Sequence, residues 1–478
     1  MTRPVPTAFA SLPLDPAQLA NLDTLGLTAM TPVQAASLAR SLGGEDLIVQ
    51  APTGSGKTVA FALPLLARLQ LDSATSPTPT QALVLCPTRE LADQVASEIR
   101  RLARAADNVK TLTLCGGVPL RNQQASLAHG AHVVVGTPGR IIDHLERGTL
   151  NLGTLRTLVL DEADRMLDMG FQEAIGTIAR RCPGTRQTLL FSATYPEGVA
   201  GVAKQFMRQP GTVQIQADSA PPRIEQRFYE IREDQRLHAV AQLLMHFRPA
   251  RTLAFCNTRQ QCRDLTDVLN AQGFEALALH GELEQRDRDQ VLVQFANRSC
   301  SVLVATDVAA RGLDIAELEA IVNVDMASDP HAHLHRIGRT GRADASGLAL
   351  SLASLDEMGS VGRVEQLLGA EVTWHSIDEL GVAPGGPLVP PMATLQIVGG
   401  RKDKIRAGDV LGALTGEGGL DATRIGKINV NEFSTYVAVD RAIAEQALAA
   451  LNHGRVKGRK VKVRRVRETG PGKTSRAG

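Results

Sequence analysis

APTGSGKT, Ala51 to Thr58, places two glycines, a lysine and two threonines within eight residues. Asp161-Glu162-Ala163-Asp164 follows about a hundred residues later. Gly54 and Gly56 let the backbone between Thr53 and Gly56, including Ser55, turn tightly enough for its N–H groups to face phosphate oxygens. Lys57 adds a point charge for the β and γ phosphates of ATP, and the Thr58 hydroxyl is a ligand for Mg²⁺. Asp161 can hold the same ion, and Glu162 can orient or deprotonate an attacking water. Ala51 stands where the usual phosphate-loop pattern has glycine, and Asp164 is also suited to capping a helix start. The two strings together point to ATP hydrolysis.

Such groups must be held by a sheet. DLIVQ (46–50) and TLVL (157–160) read as short strands buried on both faces, with a helix expected from Lys57. That helix presents its positive dipole end to the phosphates, and Asp161 falls at the carboxyl end of its strand, where open α/β sheets bind ligands. The chain also echoes itself: QALVLCPTRE (81–90) resembles RTLAFCNTRQ (251–260), and VVVGT (133–137) resembles VLVAT (302–306). These pairs predict two α/β domains of one design. The second half lacks a phosphate loop, so a single nucleotide site is expected. Thr88 with Arg89, Thr258 with Arg259, and Thr137 and Thr306 end strands where helices begin. They can cap those helices, grip a nucleic-acid backbone, or do both.

HRIGRTGR, 335–342, carries three arginines among glycines, which cannot enter a core without anionic partners. Arg339 and Arg342 are candidate arginine fingers for the transferring γ-phosphate, worth roughly 10³–10⁵ in rate in comparable hydrolases. A surface salt-bridge cluster is the alternative.

Composition sets the frame. The 478 residues carry 52 Lys/Arg and 50 Asp/Glu, and the length implies two to four domains. No apolar stretch approaches the ~20 residues of a membrane helix, and the N-terminal segment lacks the apolar core of a signal peptide. Six scattered cysteines without a CxxC pair suggest buried free thiols in a reducing compartment, hence a cytoplasmic protein. The near-neutral total hides an asymmetry. From Ala393 onward there are 17 Lys/Arg against 8 Asp/Glu, which implies a polyanionic partner for the C-terminus.

With these motifs in place, residues 9 to about 345 resemble the DEAD-box RNA helicases. Phe9 followed by GLTAMTPVQ (26–34) resembles the family's Q motif, implying that Gln34 reads the adenine edge and Phe9 packs beside the ring. PTRELA (87–92), Gly116-Gly117 and TPGR (137–140) resemble its RNA-gripping motifs, which carries RNA contact to Thr88, Arg89, Gly117, Thr137 and Arg140. SAT (192–194) resembles the motif that couples hydrolysis to strand separation, bringing Ser192, Thr194, Asp164 and His335 into that role. HGELEQRDR (280–288) and ATDVAARGLDI (305–315) resemble second-domain contacts, with Arg259, Gly281 and Thr306 toward RNA and Asp314 toward the ribose. The resemblance implies local unwinding by ATP-driven domain closure, with the 2′-hydroxyl distinguishing RNA from DNA.

After GVAPGGPLVPP (381–391) the pattern changes. From Ala393 a strand, a helix near 404–414, two strands, a helix from 441 to 451 and a final strand give a β-α-β-β-α-β order, ferredoxin-like as in RNA-recognition modules. Such modules stack bases on aromatics of the central strands. Here Tyr436 is nearly alone, Gln396 stands where an aromatic is usual, and Phe433 falls just outside the ideal position. Residues 393–428 instead resemble the terminal domain of the bacterial DbpA helicases. That likeness implies recognition of a 23S ribosomal RNA hairpin during 50S subunit assembly. Arg401, Lys402, Lys404, Arg406, Lys427, Lys457, Lys460, Lys462 and Arg464 are candidates for the RNA face.

The expected architecture is therefore two tandem RecA-like parallel-sheet domains (1–207 and 223–375) joined by a hinge (208–222). A Pro/Gly linker (376–392), an RRM-like domain (393–468) and a tail (469–478) follow. The expected activity is RNA-stimulated ATP hydrolysis by a monomer that uses ATP and Mg²⁺ and engages no membrane. An ATP-gated RNA clamp without multiple-turnover unwinding is the alternative. A DNA-repair helicase is disfavoured by the Q motif and the DEAD string.

Overall fold

A computed structural model describes residues 8–52, 54–71, 76–194, 197–215, 224–310, 318–341, 346–381 and 385–466. Thr53, Asp314 and Arg342 lie outside these residues, as do 216–222 of the expected hinge and the whole tail. The chain divides into two compact units, 1–219 with 312–314, and 220–311 with 315–478.

In the first unit, seven strands form one parallel sheet: β1 (Leu47–Gln50), β2 (Ala82–Leu85), β3 (Thr111–Leu114), β4 (Val133–Gly136), β5 (Thr157–Leu160), β6 (Gln187–Ser192) and β7 (Gly211–Gln214). Their order is β3-β4-β2-β5-β6-β1-β7. Uninterrupted apolar runs suit such strands because helices cover both faces. Alternate residues serve two cores: Leu47, Val49, Ala82 and Val84 face one, whereas Ile48, Leu83 and Leu85 face the other. Each fully buried Val or Leu contributes about 1.5–3 kcal/mol, and strands four residues long can hold a site on that basis.

The second unit repeats the design with β8 (Ile224–Glu230), β9 (Thr252–Cys256), β10 (Ala276–Leu279), β11 (Val302–Thr306), β12 (Ala320–Asn323), β13 (Gly347–Ala353) and β14 (Trp374–His375). The order is β10-β11-β9-β12-β13-β8-β14, again all parallel. The sequence echoes fall on matching places: β2 beside β4 in one sheet, β9 beside β11 in the other.

The same unit holds a four-stranded antiparallel sheet of β15 (Met392–Val398), β16 (Ile425–Val430), β17 (Ser434–Asp440) and β18 (Lys462–Arg465), ordered β16-β17-β15-β18. This is the expected ferredoxin-like order. Ala393, Leu395 and Ile397 pack on one face with Val410, Leu414, Ala447 and Leu451. The first helix differs from expectation. It starts at Ala407 rather than near 404 because Lys404 takes a left-handed φ of 60° after a tight turn at Arg401–Asp403, and it ends in a π-helical stretch, Ala413–Glu417. The second begins as a 3₁₀ turn, Arg441–Ile443, and continues as Ala444–His453.

The opposite face of this small sheet meets the larger one through polar contacts. Thr394 Oγ1 accepts from Asn297 Nδ2 at 3.2 Å and lies 2.7 Å from Ser299 Oγ. Asn429 Nδ2 donates to Asn297 Oδ1 at 3.2 Å, Met392 N donates to Arg298 O at 3.3 Å, and Arg441 pairs with Glu275. All six cysteines are free and buried. No described helix is long and apolar enough to cross a membrane.

Candidate nucleotide and nucleic-acid site

In the first unit the singled-out residues gather along the carboxyl edge of the sheet, in two groups. The phosphate loop follows β1, Asp161 follows β5 and Ser192 ends β6, three adjacent strands. Thr88 follows β2, Thr137 follows β4 and Gly117 lies beyond β3, on the other side of β5. One edge therefore offers two neighbouring stretches of differing chemistry.

Gly54 and Gly56 have φ of 82° and 91°, the left-handed region that favours glycine. A Cβ on Gly56 would come within 2.5 Å of Gln34 Nε2, which donates to Gly56 O at 3.1 Å. Gln34 Oε1 accepts from Thr31 N at 3.0 Å. The carboxamide expected at the adenine edge thus ties the start of the helix Pro32–Leu42 to the phosphate loop. Phe9 is buried in the core of this unit. Lys57 opens the helix Lys57–Ala67 and is nearly buried, its Nζ donating to Ala51 O at 2.9 Å. Thr58 is half-buried on the first turn.

Asp161 is 4 % exposed, and its Oδ1 accepts from Glu162 N at 3.0 Å. Burial pushes its carboxyl up to about 7, with the Lys57 ammonium opposing the rise and the Glu162 carboxylate adding to it. An ionised Asp161 is therefore short of positive charge. Glu162 adopts φ 51°, a strained conformation for a side-chain-bearing residue, and its Oε2 pairs with Arg165 at 3.0 Å. Outliers of this kind concentrate where a site dictates the backbone.

Asp164 joins this string to the next motif. Its Oδ2 accepts from Ala193 N at 3.2 Å and from Thr194 N and Oγ1, both at 2.9 Å, while its own N–H donates to Ser192 Oγ at 3.3 Å. Burial alone would raise its pKa, but the hydrogen bonds from Thr194, Ser192 and the Arg165 backbone outweigh burial and hold it below the ordinary value. Capping is a minor part of its role, since Arg165 N on Oδ1 at 3.0 Å is the local contact.

On the second stretch, Thr88 caps the helix Arg89–Leu102 by accepting from Leu91 N at 3.3 Å, and Arg89 lies 3.6 Å from Asp93. Thr137 makes no side-chain cap. Arg140 donates to Val118 O at 2.9 Å and to Gln123 Oε1 at 2.8 Å, which joins the TPGR turn to the loop carrying exposed Gly117.

The second unit arranges Thr258 after β9, Thr306 at the end of β11 and exposed Gly281 beyond β10 along its own carboxyl edge. Thr258 caps by accepting from Gln261 N at 3.1 Å, and Arg259 pairs with Glu282 at 2.9 Å. His335 lies in the last turn of a helix, Pro330–Ile337, in partial exposure, and Arg339 beyond it is buried.

The residue that sequence reasoning passed over is Arg336, 2 % exposed. It reaches Asp307 Oδ1 and Oδ2 at 2.8 and 2.6 Å, Asp325 O at 2.7 Å and Asn257 Oδ1 at 3.1 Å. The available signal was Asp307, the acid directly after a buried strand, since a buried guanidinium needs such a partner.

In the third sheet the stacking positions are occupied. Gln396 Nε2 donates to Tyr436 Oη at 3.0 Å, Arg464 Nε donates to Gln396 Oε1 at 2.8 Å, and Gln396 and Tyr436 are both buried. Arg401, Lys402, Lys404, Arg406, Lys427, Lys457, Lys460, Lys462 and Arg464 are all exposed. Lys402 pairs with Glu432 at 2.9 Å, and Lys457 Nζ donates to Lys404 O at 2.5 Å.

The chain matches three family models: the DEAD/DEAH box helicase over residues 31–202, the helicase conserved C-terminal domain over 235–344, and the DbpA RNA binding domain over 394–465. It is 52 % identical to the ATP-dependent RNA helicase DbpA of Escherichia coli, over 96 % of this chain and 99 % of that one. It is 34 % identical to DbpA of Bacillus subtilis, over 93 % and 96 %. Among solved structures, S. cerevisiae Dbp5 bound to RNA and ADP BeF3 matches with a TM-score of 0.70 and 28 % identity, covering 78 % of this chain and 96 % of that one. A phosphate loop and a DEAD string on one sheet edge, a second sheet of the same order and an RNA-binding module thus agree with these likenesses, and the chain belongs to the DbpA family of DEAD-box ATP-dependent RNA helicases.

Proposed function

We propose that this helicase opens short RNA duplexes locally, through ATP-driven closure of its RecA-like domains, and that its C-terminal module directs it to a 23S ribosomal RNA hairpin during 50S assembly. The observation that carries the reading is the Asp164 carboxylate, whose Oδ2 receives three hydrogen bonds from Ala193 and Thr194. Through it the acid string at the phosphates is bonded directly to the motif at the end of β6. In this reading Lys57 and the N–H groups of 53–58 hold the phosphates, Gln34 and Phe9 meet the adenine, Asp314 holds the ribose, and Glu162 positions the water. Arg339 and Arg342 stabilise charge on the γ-phosphate in the closed state. Thr88, Arg89, Gly117, Thr137, Arg140, Arg259, Gly281 and Thr306 grip the RNA backbone, and His335 with Ser192 and Thr194 couples the two events.

Thr58 and Asp161 suit Mg²⁺. The ion takes few protein ligands, completing its shell with water and phosphate oxygens, and the buried Asp161 carboxyl is short of a counter-charge. Bound there, Mg²⁺ supplies charge neutralisation of the β and γ oxygens.

We assign the domain limits as 1–207, 223–375 and 393–468, and place the protein in the cytoplasm as a monomer. The test is strand displacement with ATP against a non-hydrolysable analogue, on duplexes with and without an attached 23S fragment. Multiple turnover that requires hydrolysis and is stimulated by the fragment is expected. Equal stimulation by unrelated RNA of the same length would defeat the targeting, and single turnover with the analogue alone would leave a clamp.

A further inference from the structure

Phe433 is 61 % exposed, the most exposed Phe, Tyr or Trp among the described residues. It stands in the turn between β16 and β17, just before Ser434, the register partner of Val398, which is 60 % exposed. Two exposed apolar side chains thus lie near one end of the small sheet, in a module rich in exposed cations. The turn is rigidly built. Gly399 N donates to Phe433 O at 3.1 Å, Arg401 N to Asn431 O at 2.8 Å and Lys402 N to Glu432 O at 3.1 Å. A Cβ on Gly400 would sit 2.3 Å from Asn431 O, so this close knit requires glycine there. Lys402 Nζ lies 4.4 Å from the Phe433 ring centroid and is tethered to Glu432. The result is a ring carried on a tightly bonded turn, with the Lys402 ammonium over one face and most of the residue's surface in water.

The usual base-stacking positions are closed, since Gln396 and Tyr436 are buried and bonded to each other. The polar contacts to the larger sheet begin at the Met392 end of β15, whereas Phe433 stands by the Val398 end, about 20 Å away at ~3.3 Å per residue. From this we infer that Phe433, flanked by Lys402, is a stacking site for an unpaired base of the RNA that the module binds. The inference rests on the proposal that the C-terminal module engages ribosomal RNA. A nucleobase fits better than an apolar protein segment because the neighbouring Arg401, Lys402 and Lys404 offer cations to a phosphate backbone, and every base has a face for the ring.

The test uses the full chain, with purified 23S ribosomal RNA and a fully paired RNA duplex as probes over a salt series. Phe433→Ala and Phe433→Leu should weaken 23S binding about 10-fold at every salt concentration, with no change in salt slope or in duplex affinity, because a stacked base releases no counterion. Phe433→Trp should restore parental binding. Lys402→Met should instead flatten the salt slope by about one unit. Parental 23S affinity in Phe433→Ala, or an equal loss on both RNAs, overturns the stacking site. The parent reading has its own control: Arg406→Ala with Lys427→Ala leaving 23S binding unchanged would count against the module as the RNA reader, whatever Phe433 does.

Discussion

The two parallel sheets share strand order and differ in how they treat charge at the carboxyl edge. In the first, burial, with help from the Glu162 carboxylate and against the Lys57 ammonium, pushes the Asp161 carboxyl up to about 7. In the second, the buried guanidinium of Arg336 is met by both oxygens of Asp307 and by the Asp325 carbonyl and Asn257. One edge is left electrostatically incomplete and the other is closed upon itself. The contrast separates a buried acid left short of a counter-charge from a buried cation whose partners the same unit supplies.

The strongest attempt to break this comparison is Glu162→Gln. Phosphate release should fall roughly 10²–10⁴-fold with thermal unfolding of the first unit intact. A mutant that hydrolyses normally removes Glu162 from the chemistry. Arg336→Met should instead act on stability, costing the second unit about 3 kcal/mol because Asp307 keeps a partly buried, unpaired charge. Chemical denaturation checks it, and adding Asp307→Asn should recover part of the loss.

The pH dependence of the second unit sharpens the contrast further. Burial, with help from Arg336, depresses the His333 imidazole from 6.5 to about 4. Its folded pKa is below its unfolded one, so the unfolded chain binds the extra proton first. Stability present above pH 6.5 is then lost progressively as pH falls toward 4, by on the order of 3 kcal/mol. His333→Phe should flatten that slope in pH-dependent melts. The smallest effect is expected for Thr194→Val, which removes the hydroxyl donor on Asp164 but keeps the two backbone donors. The first unit should lose about 1 kcal/mol, and strands displaced per ATP should fall while RNA-stimulated hydrolysis persists.

Much of this was legible because the relevant signals are local. TLVL before Asp161 and ALVL before Cys86 are too apolar and too short to be anything but buried strands between helices, and Gly54 and Gly56 announce positive φ. The double echo of β2 with β4 in β9 with β11 exposed the repeated sheet. What stayed hidden depends on contacts between distant residues. Gln34 reaches Gly56, 22 residues away, and Arg336 reaches Asn257, 79 away; no periodicity reports either. The late start of the helix at Ala407 follows from Lys404 adopting φ 60°, a conformation that lysine does not advertise. Covering of the small sheet by Asn297 and Ser299 was equally invisible, because both read as ordinary loop polars.

The six buried cysteines have a practical corollary. Burial drives Cys115 and Cys300 to about 12 and Cys182 to about 11, so maleimide dyes should find scarcely any native thiolate at neutral pH. A single cysteine introduced on the exposed surface of each unit would then be the fast-reacting thiol. Fluorophore pairs could be attached to the otherwise unaltered chain, and domain closure followed one molecule at a time without first building a cysteine-free background.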